Sequence, residues 1–324
     1  MPCARARCLV LGPIMMLASI GAAQPSPSPA SPPPASPRYI HVAPAESLAV
    51  FGAMTAGPAS ATSSSGVVLL PGTLGSAFAL RHLTRTLEAT GVRVLVLDPL
   101  GMGASGRPLA ADYSLEAQAR RVVQVLDSLG WQRVVVAGQG TSATIALRVA
   151  SRAPARVLGV VSIAGGPVAT QGTDGVRTAL RFARLLDTPP GRALARRHFA
   201  RELHARAVRH DWITPDVERA YVGSLLVDLP SALRVLQRMQ GAHESVPLED
   251  ALRRVRAPVQ VFVGRERRPG APSAEQLALL VRLVPQARVD SVGGTGVLLH
   301  EETPEVITRG ILALLARAVT ASTR

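Results

Sequence analysis

The sequence predicts an α/β protein with a mainly parallel central sheet of about eight strands, covered by helices on both faces and interrupted by a helical insertion. Three observations carry this. Short, wholly apolar runs such as "GVVLLPG" (66–72), "VRVLVLD" (92–98) and "RVVVAG" (133–138) lack the in–out alternation of a half-exposed strand. They therefore read as strands buried on both faces. Stretches of helical periodicity separate them, the pattern of parallel strands joined by crossovers. From about 167 to 250 the strand signal stops, and only helical spacing remains.

Along the chain, "RYIHVA" and "SLAVFGA" read as two early strands, and "SSSG" (63–66) as a turn. Residues 76–90 show helical spacing. "SLEAQARRVVQVLDSLG" (114–130) is an amphipathic helix with Ser114 as N-cap and Gly130 as stop. A helix at 141–152 and a strand at 157–166 follow. The insertion holds "VRTALRFARLLD", "GRALARRHFARELHARAVR", "TPDVERAYVGSLL" and "PSALRVLQRM". A strand at 258–264, a helix at 273–284 and a strand at 287–294 then resume the alternation. A last helix spans 304–318, with Thr303 as N-cap and Pro304 at its first position.

The N-terminus is of another kind. Arg5 and Arg7 precede an apolar stretch from Cys8 to about Ala18, and small residues Gly21 and Ala23 follow. This is the layout of a secretory signal peptide over 1–23, so the protein is expected to be exported, to the periplasm or outside the cell. Membrane attachment is expected only if that segment stays uncleaved. Residues 24–37, "QPSPSPASPPPASP", are a Pro/Ser-rich linker. The folded core is then 38–166 and 251–324, and the helical lid 167–250. Both cysteines, Cys3 and Cys8, fall in the signal, leaving none for a disulfide.

The formal charge is +14, which can signal nucleic acid or an anionic surface. The chain has no lysine, so every one of its 36 basic residues is arginine. Wholesale use of arginine, scattered through helices, fits codon bias better than selection for one basic surface. Aromatics are only 3%, too few for single-strand stacking platforms. No nucleic-acid partner is expected.

Five stretches resemble the α/β-hydrolase superfamily, in particular its lidded, single-domain members. They are "VVLLPGTLGSAFALRHL", "VRVLVLDPLGMGASGRP", "VVVAGQGTSATIALRVAS", "APVQVFVGRERRP" and "VGGTGVLLHEETPEVITRGILALL", in the family's order. The resemblance implies an oxyanion loop at Gly72 and Thr73, and a nucleophile corner at Gln139, Gly140 and Thr141. At the positions where the family holds its nucleophile, acid and base, this chain has Gly140, Arg267 and Val297. Glycine offers no nucleophile, valine accepts no proton, and arginine has the wrong charge to orient an imidazole.

Substitutes are few. Ser142 lies two residues into the helix, about 200° round from the corner at about 100° per residue, and reads as a small packing residue. His300 and Glu266 are the remaining base and acid candidates, with His300 expected as a polar loop residue. Asp98 is expected to hold a turn. His198, His204 and His210 are spaced by six, which places successive members on different helix faces, so no metal site is expected. Gly138-x-Gly140-x-x-Ala143 matches a dinucleotide fingerprint, but the next strand region, "SIAGGPV", lacks the carboxylate that would bind a ribose. No cofactor is expected.

The sequence thus predicts a secreted, non-catalytic ligand-binding or interaction protein. Its former active-site pocket would prefer an anionic small molecule, drawn by the helix N-terminus and by Arg265, Arg267 and Arg268. The alternatives are a hydrolase of carboxylic esters or related acyl substrates using Ser142 and His300, and an envelope protein docking through its Arg-rich helices.

Overall fold

The computed structural model describes residues 36–52, 65–170 and 188–322. The expected signal peptide, the expected linker up to residue 35 and the expected helix "VRTALRFARLLD" lie outside the described residues.

Eight strands form one sheet in the order β1-β2-β4-β3-β5-β6-β7-β8. They are β1 (Arg38–Ala43), β2 (Glu46–Gly52), β3 (Ser65–Leu70), β4 (Arg93–Leu97), β5 (Arg133–Gln139), β6 (Val157–Ile163), β7 (Val259–Gly264) and β8 (Ala287–Val292). β1 and β2 pair antiparallel, and β2 joins β4 antiparallel. Every later pairing is parallel. The turn expected at 63–66 is corrected in part: Ser65 and Gly66 already belong to β3, because Ser65 pairs with β5 and Gly66 with both β4 and β5.

The helices are α1 (Arg81–Glu88, preceded by a 3₁₀ turn at Ala77–Leu80), α2 (Leu115–Ser128), α3 (Ser142–Arg152), α4 (Pro189–Arg206), α5 (Pro215–Leu226), α6 (Leu229–Gln240), α7 (Leu248–Arg253), α8 (Ala274–Leu283), α9 (Leu299–Glu302) and α10 (Pro304–Ser322). Ser114 caps α2 by accepting the Ala117 N–H at 3.1 Å. Two short helices, α7 and α9, were not legible as helices in the sequence.

Burial explains the apolar strands. Val68, Leu70, Val134 and Val136 face one cluster, with α2, α3 and α8 packed on it. Their strand neighbours Val67, Leu69, Val135 and Ala137 face the other, under α1 and α10. Each fully buried Val or Leu contributes roughly 1.5–3 kcal/mol relative to exposure, so both faces of each central strand must be apolar. A third cluster joins Leu100, Met102 and Tyr113 to Val222, Leu233 and Leu236 of α5 and α6. It seats the helices between β6 and β7 near the loops that follow the strands. No helix among the described residues is long and apolar enough to cross a membrane.

Candidate functional site

The site is built on the corner between β5 and α3. Gly140 N–H donates to the Ile163 carbonyl of β6 at 2.9 Å, which pulls the chain sharply out of the strand. Gly140 takes φ +56, the left-handed region that glycine enters without steric cost. A Cβ at this position would meet no heavy atom within 4 Å. The corner therefore keeps open space where a side chain would project, and has no side chain in it. Gly138 is glycine for another reason. A Cβ there would lie 2.2 Å from the Ser142 carbonyl oxygen, so α3 could not approach β5.

Ser142 does not face that space. It is wholly buried, and its hydroxyl donates to the Pro71 carbonyl at 2.6 Å. This bond ties the first turn of α3 to the loop after β3. A second bond tightens the same loop: Gln139 Oε1 accepts the Gly72 N–H at 2.8 Å. Neighbouring N–H groups are left over. Those of Thr73 and Thr141 meet no acceptor among the described residues, and the Thr73 hydroxyl is buried without a partner.

A cleft of about 370 Å³ opens beside this corner. Thr73, Gln139 and His300 line it from the core, Phe199 and Arg206 from α4, and Tyr221 from α5. Its walls are largely apolar, with polar atoms confined to a few points, the usual character of a small-molecule site. Arg206 pairs with Glu202 one helical turn away at 3.3 Å, and its Nε is buried without a partner among the described residues.

His300 departs from the expected polar loop residue. It sits in the one-turn helix α9, is 1% exposed and lines the cleft. Its Nε2 lies 3.4 Å from the Tyr221 hydroxyl, and its Nδ1 has no partner among the described residues. Burial, reinforced by the Arg81 guanidinium and by His82, lowers its pKa to about 3. At neutral pH it is an uncharged imidazole and a poor proton acceptor.

The next two residues are buried as well. Glu301 receives hydrogen bonds from Arg81 and from Tyr221, the latter at 2.5 Å. Burial nevertheless raises its pKa, and burial together with the Glu301 charge holds the Tyr221 phenol well above its usual value. Glu302 accepts the N–H groups of Val208 and Arg209 at 2.6 and 3.0 Å, and that of Gly296 at 2.9 Å. It thereby joins the segment after α4 to the loop after β8. The sequence offered His300 as a substitute base, and gave no sign that it and its two acidic neighbours are buried together.

The other expected site residues are dispersed. Val297 is buried in the apolar cluster under α1 and α10. Arg265, Glu266, Arg267 and Arg268 are all exposed, and none lines the cleft. The expectation that these arginines charge the pocket is corrected: the loop after β7 turns them to solvent. Asp98 is buried and holds a turn, accepting the Ala104 N–H at 2.9 Å. Desolvation raises its pKa to about 7.

His204 and His210 are not apart, as a continuous helix would put them. α4 ends at Arg206, and the returning chain brings their Nδ1 atoms to 3.2 Å. Among the described residues no group of three or more His, Cys, Asp or Glu could hold a metal ion.

The α/β-hydrolase-fold family profile matches residues 67–217. The 2-hydroxymuconate semialdehyde hydrolase of Pseudomonas putida is 27% identical over 226 residues, covering 70% of this chain and 78% of that enzyme. Among solved structures, a bacterial membrane phospholipase A superposes with TM-score 0.68 at 19% identity, over 87% of this chain and 86% of the other. A loop variant of the haloalkane dehalogenase of Bradyrhizobium elkanii superposes with TM-score 0.62 at 22% identity, over 89% and 98%. Sheet order, corner and profile agree: the chain belongs to the α/β-hydrolase superfamily.

Proposed function

We propose that this is a non-catalytic member of the superfamily, which binds a small anionic ligand with an apolar body in the cleft. One observation carries the reading. The corner that would present a nucleophile is Gly140, with open space above it and no side chain. The nearby hydroxyl, Ser142, is buried and committed to Pro71. The imidazole in the cleft, His300, is held uncharged and weakly basic. A hydrolase using Ser142 with His300 would need both groups rearranged.

Support for an anion comes from the free N–H groups of Thr141, at the start of α3 where the helix dipole favours negative charge, and of Thr73 in the loop after β3. Arg206 adds a cation whose half-exposed partnership with Glu202 is worth about 0–1 kcal/mol and is easily exchanged. Phe199, Leu203 and Leu298 supply apolar wall. The exported location belongs to the same proposal, through residues 1–23, with 167–250 acting as a lid.

The test has two arms. The purified chain is treated with a broad fluorophosphonate, and its intact mass is read. An unmodified mass is expected; a stoichiometric adduct on Ser142, or on any one serine, overturns the non-catalytic reading. Octanoate is then titrated by thermal shift. A rise in Tm that Arg206→Ala weakens and Arg267→Ala leaves intact supports the cleft. No rise, or a rise lost in Arg267→Ala, overturns the anionic-ligand reading.

A further inference from the structure

Helix α4 has two different faces. One supplies Phe199, Leu203 and Arg206 to the cleft. On the other, Leu194, Arg197 and Arg201 recur at i, i+3 and i+7, a single stripe at 3.6 residues per turn. All three are exposed, Leu194 at 60%.

The stripe is cationic without compensation. No ion pair engages Arg197 or Arg201 among the described residues. The acids of the surrounding helices are spent elsewhere. Glu202 pairs with Arg206, Asp211 with Arg209, Asp216 with Arg219 and Glu218 with His204. Asp228 caps α6 by accepting the Ser231 N–H. A second large apolar side chain, Val227, is 80% exposed where α5 meets α6. The two helical regions are packed together, since Ala195 of α4 shares a cluster with Leu226.

We propose that this outer face of α4 docks the protein on an anionic phospholipid bilayer. Unpaired guanidinium groups would meet headgroup phosphates, and Leu194 would enter the interface. A bilayer fits better than a folded acidic partner. A stable protein interface needs roughly 800 Å² of complementary surface per partner, whereas this face offers isolated apolar side chains among arginines. That combination suits a headgroup layer. The opposite face of the same helix borders the cleft, so docking would leave α4 standing between the cleft and the lipid.

The test is co-sedimentation of the full chain with vesicles. One set is phosphatidylcholine alone, the other equal parts phosphatidylcholine and phosphatidylglycerol. Binding to the anionic vesicles alone is expected, and it should weaken as salt rises. Arg197→Glu with Arg201→Glu should weaken it about 30-fold or more, taking about fivefold per arginine removed and further loss from repulsion. Arg282→Glu with Arg288→Glu makes the same change in net charge on exposed residues elsewhere, and should retain binding. Circular dichroism checks that both variants are folded. Equal loss in the two double variants, equal binding to neutral vesicles, or binding to duplex DNA without binding to vesicles would each overturn the proposal.

Discussion

The Gln139 side chain closes on the Gly72 N–H at 2.8 Å, joining the end of β5 to the loop after β3 across 67 residues of sequence. The contact is tight enough to fix both residue types. A Cβ at position 72 would lie 2.1 Å from the Gln139 carboxamide oxygen. Gln139→Ala should therefore cost about 1–3 kcal/mol by leaving a buried donor unsatisfied. Gly72→Ala should cost at least as much, through steric displacement. Urea unfolding of the two single variants and the double variant measures this. Gly72→Ala should be milder in the Gln139→Ala background, because the obstructing oxygen is gone. Strict additivity would show that the two residues do not constrain each other.

Ser142 offers a direct contrast between a structural and a chemical hydroxyl. Ser142→Ala leaves the Pro71 carbonyl without its donor in a fully buried place. A stability loss of about 1–2 kcal/mol is expected, with octanoate affinity changed little. Calorimetric Tm and ligand titration on the same sample check both. If the variant were as stable as the parent but lost all ligand response, Ser142 would belong to the site chemistry instead.

Gly140→Ser tests the empty corner. The space is open, so no clash opposes the new side chain. The backbone at φ +56 does oppose it, by about 1–2 kcal/mol for a residue with a Cβ. The variant should fold with a modestly lower Tm. It should not hydrolyse p-nitrophenyl acetate above the parent, because Val297 provides no base and His300 is too weakly basic to take the serine proton. Turnover well above the parent would show that a working base already faces the corner.

Much of the scaffold was legible in the sequence, for an identifiable reason. Strands such as Ser65–Leu70 and Arg133–Gln139 bury both faces, so their continuous apolar runs stand out without knowledge of their partners. Ser114 was legible because capping is local. The cleft was not, because its polar contacts are long-range. His300 read as a polar loop residue, and nothing marked Glu301 and Glu302 as buried. Their burial depends on Arg81, 220 residues from Glu301, and on Tyr221, 80 away. The outward turn of Arg267 and the meeting of His204 with His210 likewise depend on where loops run, which no periodicity encodes.

Two buried groups should give opposite pH slopes, and this is the sharpest check on the core of the site. His300 has a pKa of about 3 when folded against 6.5 free, because it is desolvated among Arg81, His82, Glu301 and Tyr221. A depressed histidine contributes stability that is present above pH 6.5 and is lost as pH falls towards 3. Relative to His300→Gln, the parent should lose roughly 3 kcal/mol between pH 7 and pH 4, at about 1.4 kcal/mol per unit. Asp98 runs the other way. Its carboxyl is raised from 3.8 to about 7 by desolvation. Its contribution is therefore fully present below about pH 4 and is lost as pH rises through 7. Asp98→Asn should be weaker than the parent in acid and gain on it steadily towards pH 8. Urea titrations of parent and variants at each pH, read as differences, separate the two groups. Parallel curves for parent and His300→Gln would mean that the imidazole titrates normally and is open to solvent, and a flat Asp98→Asn difference would mean the same for that carboxyl.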